Sequence, residues 1–280
     1  MDGGFSGNSR DVICINNNGV EYFRFRNLSR YGDVIAHCFT SRIGGVSRSE
    51  FASLNLGING SDSKENVLEN FRRISEALGI EANNLVFSKQ VHGASVFEAD
   101  YAHRGIGMPG GEGLEGYDAL VTDKRGVALA TFHADCVPVF LFDPPKRAIA
   151  LAHSGWRGTV KEISGAAVRK MESLYGCDPE TILAAIGPSI GQCCFEVGVE
   201  VGEEFVHNLR WSLPFMRKNG TGKWNIDLWG IVRTTLVKSG IKEENICVSG
   251  ICTKCRNDLF YSYRRDGGKT GSMAAIMQII

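Results

Sequence analysis

The sequence predicts an α/β fold of the mixed (α+β) kind, a layered α/β sandwich with a mixed β-sheet flanked by helices. Apolar runs of strand length, such as 127–143 and 148–153, indicate buried strands, and three amphipathic patterns, at 63–80, 159–176 and 224–241, indicate helices. The strand signals do not alternate regularly with the helix signals. A mixed sheet covered by helices is therefore favoured over a doubly wound parallel sheet.

Length and charge limit the classes of protein that need consideration. The 280 residues are 43% hydrophobic, enough for one sizeable core, and we expect a loose tail at 1–12 and a single domain at 13–280. Acidic and basic residues number 31 each, which gives no reason to expect nucleic acid or an anionic membrane as a partner. The start of the chain lacks the basic and apolar segments of a signal peptide, and no apolar run is long enough to cross a bilayer. A cytoplasmic monomer or homodimer is expected.

Each element is supported by a local signal. Ser63 can cap the first helix and Gly79 can end it, whereas the glycine-rich stretch 104–117 lacks the strand and helix of a dinucleotide-binding motif and is interpreted as a loop or lid. The remaining segments alternate apolar and polar residues or form short apolar runs bounded by turn residues. In chain order, the predicted elements are a strand and turn at 19–29, a strand at 34–42, a polar loop at 43–57, helix 63–80, two short strands within 84–100, two strands within 118–144, a strand at 147–153, helix 159–176, a strand at 181–190, a helix at 198–210, helix 224–241 and two late strands, the last of which closes the chain.

Cys136 and His153 interrupt two of the apolar runs. Pro138 favours the end of a strand or a bulge near Cys136, and "SGWRG" turns the chain after His153, so both residues are expected at a sheet rim, where α/β folds commonly build sites. They could be a nucleophile and its base, or two ligands of a metal. A buried thiol and a hydrogen-bonded core histidine are the alternative.

His92, in "KQVHG", could complete a metal site. One cysteine and two histidines suit Zn²⁺ with a fourth position open, and Cu²⁺ is the alternative metal, whereas an isolated His92 would be an ordinary loop histidine. His133 precedes Cys136 by three residues and cannot share its face on a regular strand, so it is not expected to be a ligand.

The other cysteines are predicted to be structural. Nine irregularly spaced cysteines in a long chain do not resemble a secreted disulfide framework. The pair in "CTKC" (252–255) has no second such pair nearby and is interpreted as structural rather than as a zinc knuckle. The adjacent Cys193 and Cys194 are interpreted as buried, because adjacent cysteines rarely chelate one metal together.

Arginines beside glycine or serine indicate an anion site. Arg42 in "TSRIGG", Arg157 in "SGWRG", and Arg264 and Arg265 in "YSYRRDGG" lie in loop-like stretches where a guanidinium could bind phosphate or a carboxylate. Ordinary surface ion pairing is the alternative.

Several of these segments together resemble one family. "FTSRIGGVS", "KQVHG", "DALVT", "ADCVPVFLFD", "AHSGWRG", "AIGPSIGQCCFEVG" and "FYSYRRDGGKTGSMAAI" are similar to the YfiH-type family, first described as laccase-like multicopper polyphenol oxidases and understood as zinc-dependent purine nucleoside phosphorylases. The resemblance covers about residue 34 to the C-terminus. It implies a catalytic metal held by His92, Cys136 and His153, and a sandwich fold related to cysteine-dependent deamidase toxins.

The resemblance also implies an activity. It implies phosphorolysis of adenosine, inosine, guanosine and S-methyl-5′-thioadenosine, together with adenosine deamination, with nucleosides and phosphate as the small-molecule partners. Phosphate would be bound by Arg42, Arg264 and Arg265. Asp135 is a candidate acid or base for the deamination, because no glutamate accompanies the ligands as it does in zinc deaminases.

Three other functions remain open from the sequence. A metal-free hydrolase or amidase, for example one that edits peptidoglycan precursors, would use Cys136 as nucleophile and His153 as base. A copper polyphenol oxidase would need a three-copper cluster, for which six scattered histidines are too few. A binding protein without activity would tolerate loss of Cys136.

Overall fold

The computed structural model describes residues 11–58, 61–109 and 113–280. The strands are β1 (Val12–Asn17), β2 (Val20–Phe25), β3 (Ile35–Thr40), β4 (Leu85–Val86), β5 (Ser88–Lys89), β6 (Val96–Glu98), β7 (Leu114–Glu115), β8 (Ala119–Thr122), β9 (Ala128–His133), β10 (Val137–Asp143), β11 (Ala148–Ser154), β12 (Leu183–Ile186), β13 (Glu196–Val197), β14 (Met216–Lys218), β15 (Trp224–Ile226), β16 (Ile246–Val248) and β17 (Met273–Ile279). The α-helices are α1 (Arg26–Ser29), α2 (Lys64–Leu78), α3 (Trp156–Val160), α4 (Ile163–Tyr175), α5 (Val199–Asn208) and α6 (Leu228–Lys238).

Two six-stranded mixed sheets form the centre of the molecule. The first has the order β1-β2-β3-β17-β9-β4, and the second has the order β16-β12-β10-β11-β8-β6. The pairs β4–β9, β12–β16 and β6–β8 are parallel, and the other pairs in these sheets are antiparallel. Two small sheets, β13-β15-β14 and β5-β7, lie outside them.

The two large sheets stack face to face, and helices cover their outer faces. Phe23 and Phe39 of the first sheet share a buried core with Phe140 and Leu151 of the second. Helix α2 packs on the outer face of the first sheet, and α4 and α6 pack on the outer face of the second. The architecture is therefore four layers, helix, sheet, sheet and helix, which confirms the predicted layered mixed fold but divides the expected single sheet into two.

The alternation along β10 and β11 places the site. Ala148, Ala150 and Ala152 face α4, where their small side chains let the helix approach closely, while Ile149 and Leu151 face the other sheet. By the same period of two, His153 points toward the space between the sheets. Cys136 directly precedes β10, and Pro138 is paired with His153, so both reactive side chains lie at one end of neighbouring strands.

Several predicted boundaries differ in the structure. The helix predicted at 159–176 is two helices, α3 and α4, separated at Glu162, which has a left-handed backbone (φ 54°). The helix predicted at 224–241 begins only at Leu228, after a strand, and Asp227 caps it through the backbone N–H of Gly230. The first helix matches its prediction, with Ser63 accepting from Asn66 N and a left-handed Gly79 at its end.

The two segments expected to be loosely ordered are only partly described. Residues 1–10 of the predicted tail lie outside the described residues, but Val12, expected at its end, pairs with Phe25 in the first sheet. Residues 110–112 of the glycine-rich stretch also lie outside the described residues, while Leu114 and Glu115 pair with Ser88 and Lys89. Within the part of the chain that the structure describes, no helix combines the length and apolar character needed to cross a membrane.

Candidate metal centre

Three potential metal ligands converge from three separate segments. His92 lies in the loop between β5 and β6 with a left-handed backbone (φ 59°), Cys136 precedes β10, and His153 lies near the end of β11. Their ligand atoms all lie within 4.8 Å of one another, and His92 Nε2 is 3.8 Å from Cys136 Sγ. His153 is buried, Cys136 is partly exposed and His92 is exposed, so the group opens to solvent on one side.

Asp118 fixes the positions of both histidines. This carboxylate is fully buried just before β8 and accepts hydrogen bonds from the backbone N–H groups of Val91, His92 and Gly93 at 2.7–3.1 Å. It also accepts a hydrogen bond from His153 Nδ1 at 2.9 Å. The second interaction directs His153 Nε2 toward Cys136, in the arrangement by which carboxylates orient metal-binding histidines.

The donor set and its spacing fit a four-coordinate metal with one position open. A tetrahedral zinc with bonds of about 2.0–2.3 Å separates a nitrogen and a sulfur ligand by about 3.5 Å, close to the separation of His92 Nε2 and Cys136 Sγ. One thiolate and two imidazoles supply three ligands, which leaves a fourth position for substrate or water.

Without a metal, the cysteine and the histidine stabilise each other as an ion pair. Burial acts to raise the pKa of the Cys136 thiol, but the charge of His153 and hydrogen bonds from His153 and His92 outweigh it and lower that pKa to about 6. Burial acts to lower the pKa of His153, but the Cys136 thiolate and Asp118 raise it to about 9. At neutral pH the metal-free pair is therefore thiolate and imidazolium, which suits a nucleophile as well as a ligand.

His133 is held by other groups. Its Nδ1 lies 3.1 Å from the Cys136 carbonyl oxygen, and its Nε2 lies 2.8 Å from Thr131 Oγ1, so both ring nitrogens have partners. Burial and the neighbouring charge of His153 hold its pKa well below the ordinary value, which keeps the ring neutral. That His133 is not a ligand stays a prediction, and these contacts are the reason to keep it.

The carboxylate of Asp135 also has structural partners. It accepts hydrogen bonds from Thr253 Oγ1 at 2.7 Å, Ser262 Oγ at 2.9 Å and the backbone N–H of Arg264 at 2.7 Å. These contacts tie two late loops to the residue before Cys136. The same contacts occupy the carboxylate oxygens that Asp135 would need in order to act as the acid or base in deamination.

A cavity of about 690 Å³ opens beside the three ligands. This size suits a drug-sized or nucleoside-sized molecule. Aromatic and positively charged side chains share its wall, including Phe132, Trp156, Arg157, Phe195, Tyr263 and Arg264. Arg157 stacks on Trp156, with its guanidinium carbon 4.2 Å from the ring centroid, and Arg264 lies 5.5 Å from the centroid of Phe195.

Of the four loop arginines, two line the cavity and two do not. Arg157 and Arg264 line the cavity, whereas Arg42 and Arg265 are not among its lining residues. Arg42 donates to the carbonyl oxygens of Ala52 and Asn257 and lies over the ring of Tyr261. Arg265 pairs with Asp266 and donates to two backbone carbonyl oxygens within its own region of the chain.

The structure contradicts the predicted surroundings of the two cysteine motifs. Cys193 is exposed and Cys194 is only partly buried, so the prediction that this pair is buried is wrong. "CTKC", predicted to have no partner motif, lies against this pair, and the four sulfur atoms are within 4.8 Å of one another. Sequence distance concealed this contact.

Asp118 and Gly155 were not assigned roles from the sequence. Asp118 could have been noticed as a charged residue directly before the apolar strand "ALVT", in a segment already quoted for its resemblance. Gly155 lies two residues after His153, and a Cβ atom there would lie 2.7 Å from His92 Cδ2 and 3.1 Å from Cys136 Sγ. No side chain larger than hydrogen fits between these two ligands without a shift.

The fold and the site together define a class of protein: a stacked two-sheet α+β protein with a carboxylate-oriented His–Cys–His centre beside a cavity. Residues 36–280 match the family model described as multi-copper polyphenol oxidoreductase laccase. The chain therefore belongs to this family.

Relatives and solved structures agree with this membership. The chain is 38% identical to "Purine nucleoside phosphorylase YlmD" of Geobacillus stearothermophilus over 85% of this chain and 88% of that protein. It is 37% identical to "Adenosine deaminase RL5" from an unknown prokaryotic organism, over 80% of this chain and 86% of that protein. The crystal structure of YlmD from Geobacillus stearothermophilus superposes with a TM-score of 0.88 at 35% identity, covering 96% of this chain and 99% of that one.

The role of Asp118 predicts the effect of Asp118→Asn on metal binding. The substitution keeps the size of the side chain but replaces one acceptor oxygen by an NH₂ group that cannot accept from the loop N–H groups or from His153. We expect zinc affinity, measured by competition with a chromogenic chelator, to fall about 10- to 100-fold. Asp258→Asn at the surface is the control and should leave affinity unchanged; equal affinities for both variants would contradict the role of Asp118.

The close approach of Gly155 predicts that Gly155→Ala disturbs the centre. The added methyl group must displace His92 or Cys136, so the metal content of the purified protein should fall while its circular dichroism spectrum is retained. Gly220→Ala is the matched control, because a Cβ atom there meets no atom within 4 Å. Full metal occupancy in Gly155→Ala would show that the two ligands do not need this space.

Proposed function

We propose that the protein is a zinc-dependent purine nucleoside phosphorylase that cleaves adenosine, inosine, guanosine and S-methyl-5′-thioadenosine with phosphate and also deaminates adenosine. The observation that carries the proposal is the His92–Cys136–His153 centre beside a cavity of about 690 Å³. The names of the relatives that share the fold, phosphorylase in one case and deaminase in another, support its transfer to this chain.

The wall of the cavity provides groups for both substrates. Arg157 and Arg264 are the arginines that line it, and we assign them to phosphate in preference to Arg42 and Arg265, which are not among its lining residues. Arg264 also donates through Nη1 to the carbonyl oxygen of Glu196. The aromatic rings of Trp156, Phe195 and Tyr263 offer flat apolar surfaces for the purine.

His92, Cys136 and His153 would hold the metal, and zinc bound there would supply Lewis-acid catalysis and orientation of an oxygen ligand. Asp118 keeps the proton of His153 on Nδ1, so that Nε2 can serve as a ligand. Because the metal-free pair is thiolate and imidazolium, His153 would give up its Nε2 proton when it binds the metal.

In phosphorolysis, an oxygen of phosphate forms a bond to C1′ of the ribose while the bond from C1′ to the purine nitrogen breaks. The purine leaves with the electron pair of that bond and takes up one proton. Arg157 and Arg264 would hold the phosphate dianion and neutralise its charge as it approaches the sugar. In deamination, water adds to C6 of adenosine and ammonia leaves.

Two other functions use the same residues differently. A metal-free hydrolase is favoured by one specific observation, the close approach of Cys136 and His153, which lowers the pKa of the thiol and raises that of the imidazole. Copper polyphenol oxidation needs several histidines at a three-copper cluster. The described residues include all six histidines of the chain, and only His92 and His153 fall in a potential metal-binding group.

The proposed activity predicts that hypoxanthine release from inosine requires both phosphate and metal. Purified protein should produce hypoxanthine and ribose 1-phosphate only when phosphate is present. Removing zinc, or substituting Cys136→Ala, should lower the rate at least about 100-fold, because metal catalysis contributes several kcal/mol. Cys14→Ser, an exposed cysteine on the first strand, is the matched control and should retain activity.

Other outcomes would distinguish the alternatives. Amide hydrolysis that survives complete metal removal but not Cys136→Ala would favour the cysteine hydrolase. Absence of base release from zinc-loaded, folded protein would contradict the phosphorylase.

The two sets of arginines predict opposite kinetic effects. Arg157→Ala and Arg264→Ala should each raise the KM for phosphate roughly 10- to 100-fold, the range expected when a charged hydrogen bond is lost. Arg42→Ala should lower thermal stability, because its carbonyl contacts are lost, and leave that KM unchanged. A raised phosphate KM in Arg42→Ala or Arg265→Ala, with no change in the other two, would place the phosphate site at Arg42 or Arg265 instead.

A further inference from the structure

A second group of metal-ligating side chains lies outside the centre described above. Cys193 and Cys194 follow β12, and Cys252 and Cys255 follow β16, its parallel neighbour. A bridge continues this pairing beyond the strands: Ser189 N donates to Ile251 O at 3.2 Å, and Thr253 N donates to Ser189 O at 3.0 Å. Two distant pairs of cysteines thereby reach the same edge of the fold.

Each cysteine pair lies on a tight turn. Cys194 N donates to Gly191 O at 2.9 Å, and Arg256 N donates to Cys252 O at 3.1 Å. On such turns, consecutive side chains are not forced to opposite faces as they are in a strand. The adjacent Cys193 and Cys194 can therefore both point toward Cys255, whose sulfur lies 3.8 Å and 3.5 Å from theirs.

The separations of the sulfur atoms match those around a single tetrahedral ion. Zinc with four Zn–S bonds of about 2.3 Å holds its sulfur ligands about 3.8 Å apart. All four sulfur atoms here lie within 4.8 Å of one another, closer than the ligands of a multi-iron cluster.

One backbone donor favours a thiolate at Cys252. The backbone N–H of Gly191 donates to Cys252 Sγ at 3.3 Å, and Cys252 is the buried member of the four. Gly191 itself is closely packed, since a Cβ atom there would lie 3.0 Å from Trp229 and 3.3 Å from Cys193 Sγ. The N–H donor and the ligand loop therefore have little freedom to separate.

We propose that Cys193, Cys194, Cys252 and Cys255 form a second zinc site, a four-thiolate structural centre. Four cysteines leave no open position, which distinguishes a structural site from the three-ligand centre at Cys136. Binding of Zn²⁺ converts the four thiols to thiolates and releases their four protons, without oxidation or reduction.

The site fastens one wall of the cavity. The first cysteine loop carries Ile190 and Phe195, which line the cavity, and Ile190 N donates to Asp135 O at 2.9 Å. The second loop carries Thr253, whose hydroxyl donates to the carboxylate of Asp135. An ion shared by the two loops would hold them together at a distance from the reacting groups.

Metal content tests the site directly. Reduced protein purified from zinc-supplemented cells should contain about two zinc ions per chain, and Cys193→Ser/Cys255→Ser should contain about one. Both substituted cysteines are exposed, so little packing is lost.

Two further variants complete the comparison. His92→Ala/Cys136→Ala should also retain about one ion, while Cys14→Ser should retain about two. The variant that lacks Cys193 and Cys255 should unfold several degrees lower than Cys14→Ser.

A spectroscopic measurement avoids dependence on the folding of the cysteine variant. One equivalent of Co²⁺ added to His92→Ala/Cys136→Ala should give the intense near-ultraviolet thiolate-to-cobalt bands and visible bands of a tetrahedral four-sulfur site. A single zinc per wild-type chain that is lost in His92→Ala/Cys136→Ala would overturn the proposal. A disulfide among the four cysteines in place of a second ion would also overturn it, as would absence of the cobalt bands. None of these readouts depends on phosphorylase activity, so failure of the second site and failure of the proposed function remain distinguishable.

Discussion

The geometry of the centre depends on one buried carboxylate. Asp118 has no exposed surface, and its two oxygens accept hydrogen bonds from three consecutive backbone N–H groups and from His153. Burying a charge is costly unless hydrogen bonds compensate it, and here four donors do so. Although burial acts to raise the pKa of Asp118, the hydrogen bonds from His153 and Gly93 lower it below its ordinary value. The negative charge of Asp118 is costly to bury, but the same charge attracts the N–H groups of the His92 loop and so holds this loop against the second sheet.

A second carboxylate performs the corresponding task on the other side of Cys136. Asp135 has a positive φ of 89° at the step where the chain leaves the first sheet and enters the second. Such a backbone is unfavourable for a residue other than glycine, and it persists where surrounding contacts define it. Those contacts are the hydroxyl groups of Thr253 and Ser262 and the backbone N–H of Arg264. Asp118 thus positions the histidines, and Asp135 positions the cysteine and an arginine of the cavity.

The sequence predicted the features that depend on neighbouring residues and missed the contacts between segments that are far apart in the chain. The cap of the first helix and the rim positions of Cys136 and His153 follow from signals within a few residues, such as Ser63 before an amphipathic run and Pro138 beside the cysteine. The number of sheets could not be deduced from the sequence. A strand that is covered on both faces is a continuous apolar run, whether all the strands belong to one sheet or are divided between two.

The contact between "CTKC" and the adjacent cysteines depends on the parallel pairing of β12 with β16, and neither motif contains a local signal for that pairing. The separation of Arg157 and Arg264 from the other arginines depends on which loops meet at the cavity. The roles of His92, Cys136 and His153 themselves stay a prediction, although the structure brings the three together.

The same three side chains cannot serve two chemistries at once. In the metal-free centre, Cys136 is a thiolate beside a protonated His153, the charge state of a cysteine nucleophile with its base. Bound to a metal ion, the sulfur of Cys136 would no longer be a free nucleophile and His153 would lose its Nε2 proton, while its Nδ1 proton would stay on the imidazole and be donated to Asp118. Mutation of Cys136 would abolish either chemistry and would not distinguish them. Loading the site with metal would distinguish them, because the metal-dependent activity should rise with occupancy and the activity of a cysteine nucleophile should fall.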